Sequence, residues 1–325
     1  MRIAVLSSLA KDSGCWLRAG YLANSLKNNC EVEFIQPLPK TLPFILDMFI
    51  SIPINLIKVT FSKADFFIGI KPYPNITIPL LFVKIFKRKR IGVDIDDLDS
   101  SYRKGIISKI SSALQKPFPK YFDIITYHNS LLKEHIIKEF KVEEEKLYKL
   151  DQGVDLKIFD YKLNKPEKEV LFYMGHLNIA SDLDSILKAV KLVQNKRDVK
   201  FVIVGGGPDR AKFRKLAKQL NVSARFTGHL SKEETAKELS KADICLIYYK
   251  EKKVNAYRCS MKLRECLAMG KKIVCNDFGD LKKFEKYTYQ SSSKIEDFAD
   301  KIIQTLKNQD GREIKGLNYI KKNLD

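Results

Sequence analysis

Residues 257–276 read YRCSMKLRECLAMGKKIVCN, and the order of elements in this stretch decides the fold class. It opens as a polar loop. Leu263, Leu267 and Ala268 then recur at helical spacing, Gly270 stands where a helix would stop, and Ile273-Val274-Cys275 is a short apolar strand. Glu265 falls in the first turns of the helix, just behind Ser260-Met261-Lys262. A helix N-terminus presents unpaired N–H groups and the positive end of the helix dipole, which suits a phosphate. A carboxylate one turn further in can accept hydrogen bonds from two neighbouring hydroxyls. Phosphate beside a diol describes a nucleotide ribose. An amphipathic helix with a solvated glutamate fits this window equally well, so the rest of the chain has to decide.

Working back from that stretch, strands and helices alternate. Strands are expected at 170–173, 200–204, 224–227 and 244–248, with helices at 182–194, 209–220 and 232–240 between them and a last helix at 295–307. The first half has the same order with weaker punctuation. Its strands are expected at 2–8, 31–35, 65–70, 91–95, 122–127 and 148–150, with helices at 16–27 and 76–86. Strand, loop, helix, strand repeated in this way is the pattern of a parallel α/β sheet. Two such halves meet at a lysine-rich segment, which gives an N-terminal Rossmann-like domain over 1–156, a linker over 157–168, a C-terminal Rossmann-like domain over 169–311 and a tail over 312–325.

The chain has 325 residues, comfortable for two cores, and 59 Lys+Arg against 39 Asp+Glu, net +20. By halves, residues 1–155 carry net +6 and 156–325 net +14. Such a surface expects an anionic partner: a phosphorylated ligand, an anionic membrane or nucleic acid. Nothing interleaves aromatic and basic residues as a nucleic-acid module would, so nucleic acid is not expected as a partner. The six cysteines form no CxxC pair and no zinc-spaced set with the four histidines, which argues for a reducing, cytoplasmic setting and no bound metal. Residues 42–61, LPFILDMFISIPINLIKVTF, are long enough to span a bilayer, but Pro43, Pro53, Asp47 and Lys58 count against a span. A segment lying on a surface, or one covering the sheet as core, remains open.

Four segments in register resemble the retaining glycosyltransferases of family 4, which have the GT-B architecture of two Rossmann-like domains facing across a cleft. They are LDQGVDLKIF (150–159), VIVGGGPDRAKFRKLAKQLNV (202–222), RFTGHLSKEETAKELSKADICLIYY (225–249) and SMKLRECLAMGKKIV (260–274). The likeness is specific over about 150–305 and extends to 1–149 in element order alone. It implies a hexosyltransferase-like enzyme that moves a sugar from a nucleotide donor, UDP- or GDP-linked, with retention and without a metal or other cofactor. By the same resemblance Glu265 holds the ribose hydroxyls, Ser260, Met261 and Lys262 lie by the diphosphate, and Gly228 and His229 lie near the base. Gly175, His176, Gly206, Tyr257 and Arg258 complete the expected donor set.

The chain also departs from that family. Tyr257 stands where a second glutamate is usual, and His176 and Ser181 stand where an arginine and a lysine usually grip the diphosphate. Arg258, Lys262 and Arg264 are the candidate replacement cations. In the first half the acidic turn 94–100, DIDDLDS, supplies Asp96 and Asp97 as candidate catalytic carboxylates, with helix capping as the alternative. Ser13, Gly14 and Arg18 are expected near the donor phosphate or the acceptor. The apolar 42–61 segment and the basic cluster Lys84–Arg90 suggest a glycan or polyprenyl-linked acceptor and a peripheral position on the inner face of an anionic membrane. A non-catalytic nucleotide-sugar-binding protein and a sugar-nucleotide epimerase are the alternatives.

Overall fold

A computed structural model describes residues 1–9, 13–37, 43–98, 105–163, 165–167, 169–178, 181–308 and 310–324. Asp99 and Ser100 of the acidic turn lie outside them. The chain divides into two units, Met1–Asp151 and Gln152–Asp325. The division falls before the segment 157–168 expected to be the linker. The reason is packing: Val154 and Phe159 are buried in the core of the second unit.

In the first unit the order is β1 (Arg2–Ser7), α1 (Gly14–Leu26), β2 (Glu31–Ile35), α2 (Phe44–Phe61), β3 (Phe66–Ile70), α3 (Pro74–Phe86), β4 (Arg90–Asp94), α4 (Gly105–Gln115), β5 (Ile124–Tyr127), α5 (Ser130–Phe140) and β6 (Leu147–Lys149). The six strands form one parallel sheet in the order β2-β1-β3-β4-β5-β6. The chain reverses direction across the sheet between β1 and β3, the topological switch point of a doubly wound fold. The inward residues of β1 and β3 are apolar because α1 covers them through Cys15, Ala19 and Ala23, small side chains that let helix and sheet approach closely. Ser13 caps α1 by accepting a hydrogen bond from the Trp16 N–H. Asn129 does the same for α5 from Leu132 N–H.

The segment expected at 42–61 is a single helix from Phe44, despite Pro53 in its interior. A proline inside a helix removes one backbone hydrogen bond, a cost that packing can absorb. Here α2 lies along α3 through Met48, Ser51, Asn55 and Val59, and the Asn55 side-chain amide donates to the Asn75 carbonyl at 2.9 Å.

The second unit runs β7 (Val170–Met174), α6 (Leu183–Gln194), β8 (Lys200–Val204), α7 (Arg210–Gln219), β9 (Arg225–Gly228), α8 (Lys232–Ser240), β10 (Ile244–Ile247), α9 (Lys253–Tyr257), α10 (Met261–Ala268), β11 (Lys272–Asn276), β12 (Tyr289–Ser291), α11 (Ile295–Lys307) and α12 (Arg312–Asn323). Its parallel sheet has the order β12-β11-β10-β7-β8-β9, again with a switch point, between β7 and β10. Its central strands β7, β8 and β10 are buried on both faces, as a parallel sheet requires. One face packs on α10 and α12 through Leu263, Leu267 and Ile320. The other packs on α6 and α11 through Ile186, Val190, Phe298 and Ile302. Ser231 and Glu234 form a reciprocal capping box at the start of α8. The tail expected at 312–325 clusters with the second unit. α12 packs against α10, with Leu267 against Gly316, and Val154 N–H donates to the Leu324 carbonyl at 2.8 Å.

Candidate functional site

Four strands of the second sheet, β7 to β10, end at one edge, and their C-terminal ends frame a cavity of about 430 Å³. A ligand site at this position is what an open parallel sheet offers, because loops and helix N-termini converge beside the switch point. The floor is backbone. Gly175 N–H donates to the Val204 carbonyl at 3.0 Å, Leu177 N–H to Gly206 at 2.8 Å and Gly205 N–H to Gly228 at 2.9 Å, so the loops after β7, β8 and β9 are stitched together. Gly205 has φ +148°, and a Cβ there would fall 1.9 Å from the Gly175 carbonyl oxygen. Only glycine lets these two loops approach so closely.

The walls carry the charge. α10 starts beside the cavity with Ser260 as its N-cap, and the Ser260 hydroxyl makes no capping bond to the helix. Lys262, in the first turn, lies with Nζ 4.8 Å from the Tyr173 ring centroid and 5.9 Å from that of Tyr249. Burial, with Arg258 nearby, pulls its pKa down to about 8. Glu265, one turn on, is 12% exposed, and its Oε1 sits 3.5 Å from Lys232 Nζ. Burial raises the proton affinity of this carboxyl, against the pull of Lys232 and then Lys262. Arg258 stacks over Tyr249 at 5.3 Å and donates to the Asn255 side-chain oxygen at 3.0 Å. His176 stands exposed on the rim, and His229 closes over Gly206.

The cavity thus brings together Gly175, His176, Gly206, His229, Arg258, Met261, Lys262 and Glu265 of the expected donor set. Three expected members stand behind it. Gly228 supports the floor from below with its carbonyl. Ser260 is buried and gives its N–H to Asp280 at 3.2 Å. Tyr257 ends α9, half-buried and outside the lining. Arg264, a candidate replacement cation, is corrected outright. It is buried on the opposite side of α10, paired with the buried Asp280 at 2.8 Å and packed on Phe284 at 5.0 Å. Ser181 is also buried, its carbonyl accepting from the Tyr173 hydroxyl at 3.1 Å.

Lys232 was not expected in the cavity. In the sequence it is one of three charged residues opening α8 and reads as a solvated helix residue. The signal was its place directly after the His229-Leu230 loop.

In the first unit, Arg18 is buried. Its guanidinium holds both oxygens of the fully buried Asp94 at 2.9 and 3.1 Å, and Thr126 donates to the same carboxylate at 2.5 Å. Its charge is thereby paired inside the unit. Ser13 is the cap of α1 and Gly14 its first residue. Asp96 lies 3.6 Å from the buried Lys71 Nζ, and its carbonyl meets His128 Nε2 at 2.8 Å. The Asp97 carboxylate accepts from the N–H of Leu98 at 2.8 Å.

Known proteins resemble this chain in sequence and in fold. Residues 168–308, the span that contains the cavity's sheet, match the family model described as Glycosyl transferases group 1. TuaH of Bacillus subtilis (strain 168), whose given name proposes a glycosyltransferase of teichuronic acid biosynthesis, is 26% identical over 181 residues. That match covers 52% of this chain and 44% of the relative. Among solved structures, sucrose-phosphate synthase from Thermosynechococcus elongatus superposes with a TM-score of 0.75 at 15% identity, covering 100% of this chain and 95% of its own. HepE (Alr3699) from Anabaena, solved in complex with UDP, gives 0.72 at 12% identity, covering 100% and 96%. Over residues 168–308 the chain is thus similar to the group 1 glycosyl transferases, and its fold is that of the GT-B glycosyltransferases.

Proposed function

We propose that the protein transfers a sugar from a nucleotide-sugar donor to a glycan or lipid-linked acceptor, with retention and without a bound metal, and that the donor occupies the second-unit cavity. The observation that carries the reading is the meeting of Glu265, Lys262 and the glycine floor in one cavity at the sheet's C-terminal edge. In this reading the Glu265 carboxylate accepts from the two ribose hydroxyls. Lys262, Arg258 and the N–H groups opening α10 take the diphosphate. As the glycosidic bond breaks, negative charge grows on the leaving diphosphate, and fixed cations and dipoles stabilise it without reorganising. Lys262 is suited to this. Partial burial weakens its hydration, so a diphosphate raises its charge state as it binds. Peptide groups of the floor face the base.

Thermal-shift measurements against UDP, GDP, CDP, ADP and dTDP test the reading. Stabilisation by one of them, lost in Glu265→Ala, supports it. Indifference to all five overturns it.

A further inference from the structure

The first unit carries a helix that is inside out. On α2 the residues turned inward include Ser51 and Asn55, both buried, while Leu46, Phe49, Ile50, Ile57 and Phe61 are between 48% and 80% exposed. These five fall on one face, since positions 46, 50, 57 and 61 are spaced by four, seven and four residues. A helix that merely covered a sheet would show the reverse. The mean hydropathy of α2 is 1.7, yet only 22% of it is buried. The inner face is anchored: Asn55 donates to the Asn75 carbonyl at 2.9 Å and Asn75 to the Ser8 carbonyl at 2.8 Å. Lys87 donates to the carbonyls of Val59, Thr60 and Ser62, capping the helix end. A helix held along its length by its own unit lies on a surface rather than crossing a bilayer.

The basic cluster sorts in the same way. Lys84 pairs with Asp123 and Lys89 with Asp65, so these two and Lys87 serve the unit itself. The exposed cations at the C-terminal end of α2 are Lys63, which follows it, and Arg88, next to the capping Lys87. Phe61 and Phe86 protrude at that same end, 80% and 71% exposed.

We infer that this face of the first unit docks on an anionic lipid surface, with the outward residues of α2 sunk into the headgroup–acyl boundary and Lys63 and Arg88 on the phosphates. Charge decides the occupant. A second copy would bring the same positive rim and another +20 of net charge, whereas anionic headgroups complement both. The inference stands independently of the sugar-transfer reading.

The test is flotation of the full chain with phosphatidylcholine vesicles, with and without phosphatidylglycerol. The wild type floats with the anionic vesicles and less so at high salt. Phe49→Ser, Ile57→Ser and Phe61→Ser combined reduce the bound fraction at least tenfold, with unchanged melting temperature and unchanged stabilisation by nucleotide. Lys63→Glu with Arg88→Glu removes the preference for anionic over neutral vesicles. A wild type that stays at the bottom of the gradient overturns the inference. So does a wild-type dimer that the triple variant makes monomeric without any vesicle effect. Vesicle binding without any response to nucleotide would leave this inference standing and remove the functional reading.

Discussion

Replacing Glu265 by alanine separates binding from stability. In the donor-bound state the carboxylate is read as accepting two charge-assisted hydrogen bonds, each contributing about 1.5–3 kcal/mol when made to an ionised group. Lys232 lies 3.5 Å from the same carboxylate, is 35% exposed and can turn to solvent, so little is stranded when the carboxylate goes. Taking about 3 kcal/mol for the pair, the nucleotide dissociation constant rises on the order of 100-fold. At a ligand concentration about 100 times the wild-type constant, stabilisation of roughly 2.7 kcal/mol falls to about 0.4 kcal/mol. For a unit of this size that is a thermal shift of about 5–10 °C reduced to about 1 °C. The unliganded protein behaves oppositely. Burial raises the carboxyl pKa, so the folded state holds its proton more tightly than the unfolded chain. The resulting cost is absent below the unfolded value of about 4.5 and complete above the raised folded value. The isosteric Glu265→Gln variant therefore melts at or above the wild-type temperature at neutral pH, and the difference closes in acid. Full nucleotide stabilisation in Glu265→Ala would show that the carboxylate does not face the ribose.

Lys262, with a pKa of about 8 in the empty site, must be charged to hold a diphosphate, so nucleotide affinity falls as pH rises past 8. Calorimetry in buffers of different ionisation enthalpy shows proton uptake near that pH, and Lys262→Met abolishes both effects. Gly205→Ala combines a left-handed φ with a Cβ overlapping the Gly175 carbonyl, a loss of about 3 kcal/mol or more that lowers the melting temperature by roughly 10 °C. Asp280→Ala leaves the Arg264 guanidinium buried without its carboxylate and costs about 3–5 kcal/mol; Arg264→Met with Asp280→Leu recovers much of it, as denaturant melts will show. Burial alone would raise the Asp280 pKa, but Arg264 overrides it and holds it at about 2. The stability from this pair is present above the unfolded value of about 4 and drains away as pH falls toward 2.

The second sheet was legible because its strands are short apolar runs bounded by glycine-containing loops, and each helix shows an apolar stripe. Strands β8 and β2 and helices α8 and α11 lie where the periodicity put them. What escaped had a physical reason. α2 hides its helical signal because it is apolar nearly all round, which periodicity cannot distinguish from a strand or a core segment. β12 is three residues of mixed polarity. The pairing of Arg18 and Arg264 was hidden because their carboxylate partners, Asp94 and Asp280, stand 76 and 16 residues away and only the fold brings them close. The glycine floor and Glu265 were legible because they are local: a strand end, a loop and a helix start. Lys232 reached the site from the start of the next helix, and its nearness to the His229-Leu230 loop was the one hint of that.

The bond from Val154 to Leu324 carries a consequence for synthesis. Val154 leaves the ribosome almost at the start of the second unit and α12 at its end. The first unit has all its strands once residue 149 has emerged, so it can fold on its own while the remainder is still being made. α10 has no such freedom. Its buried side, Leu267 included, stays without its cover until α12 has emerged. The part of the molecule proposed to hold the donor thus completes its packing only with α12, and removing α12 should give a trap for chaperones and proteases rather than a weakened ligand site.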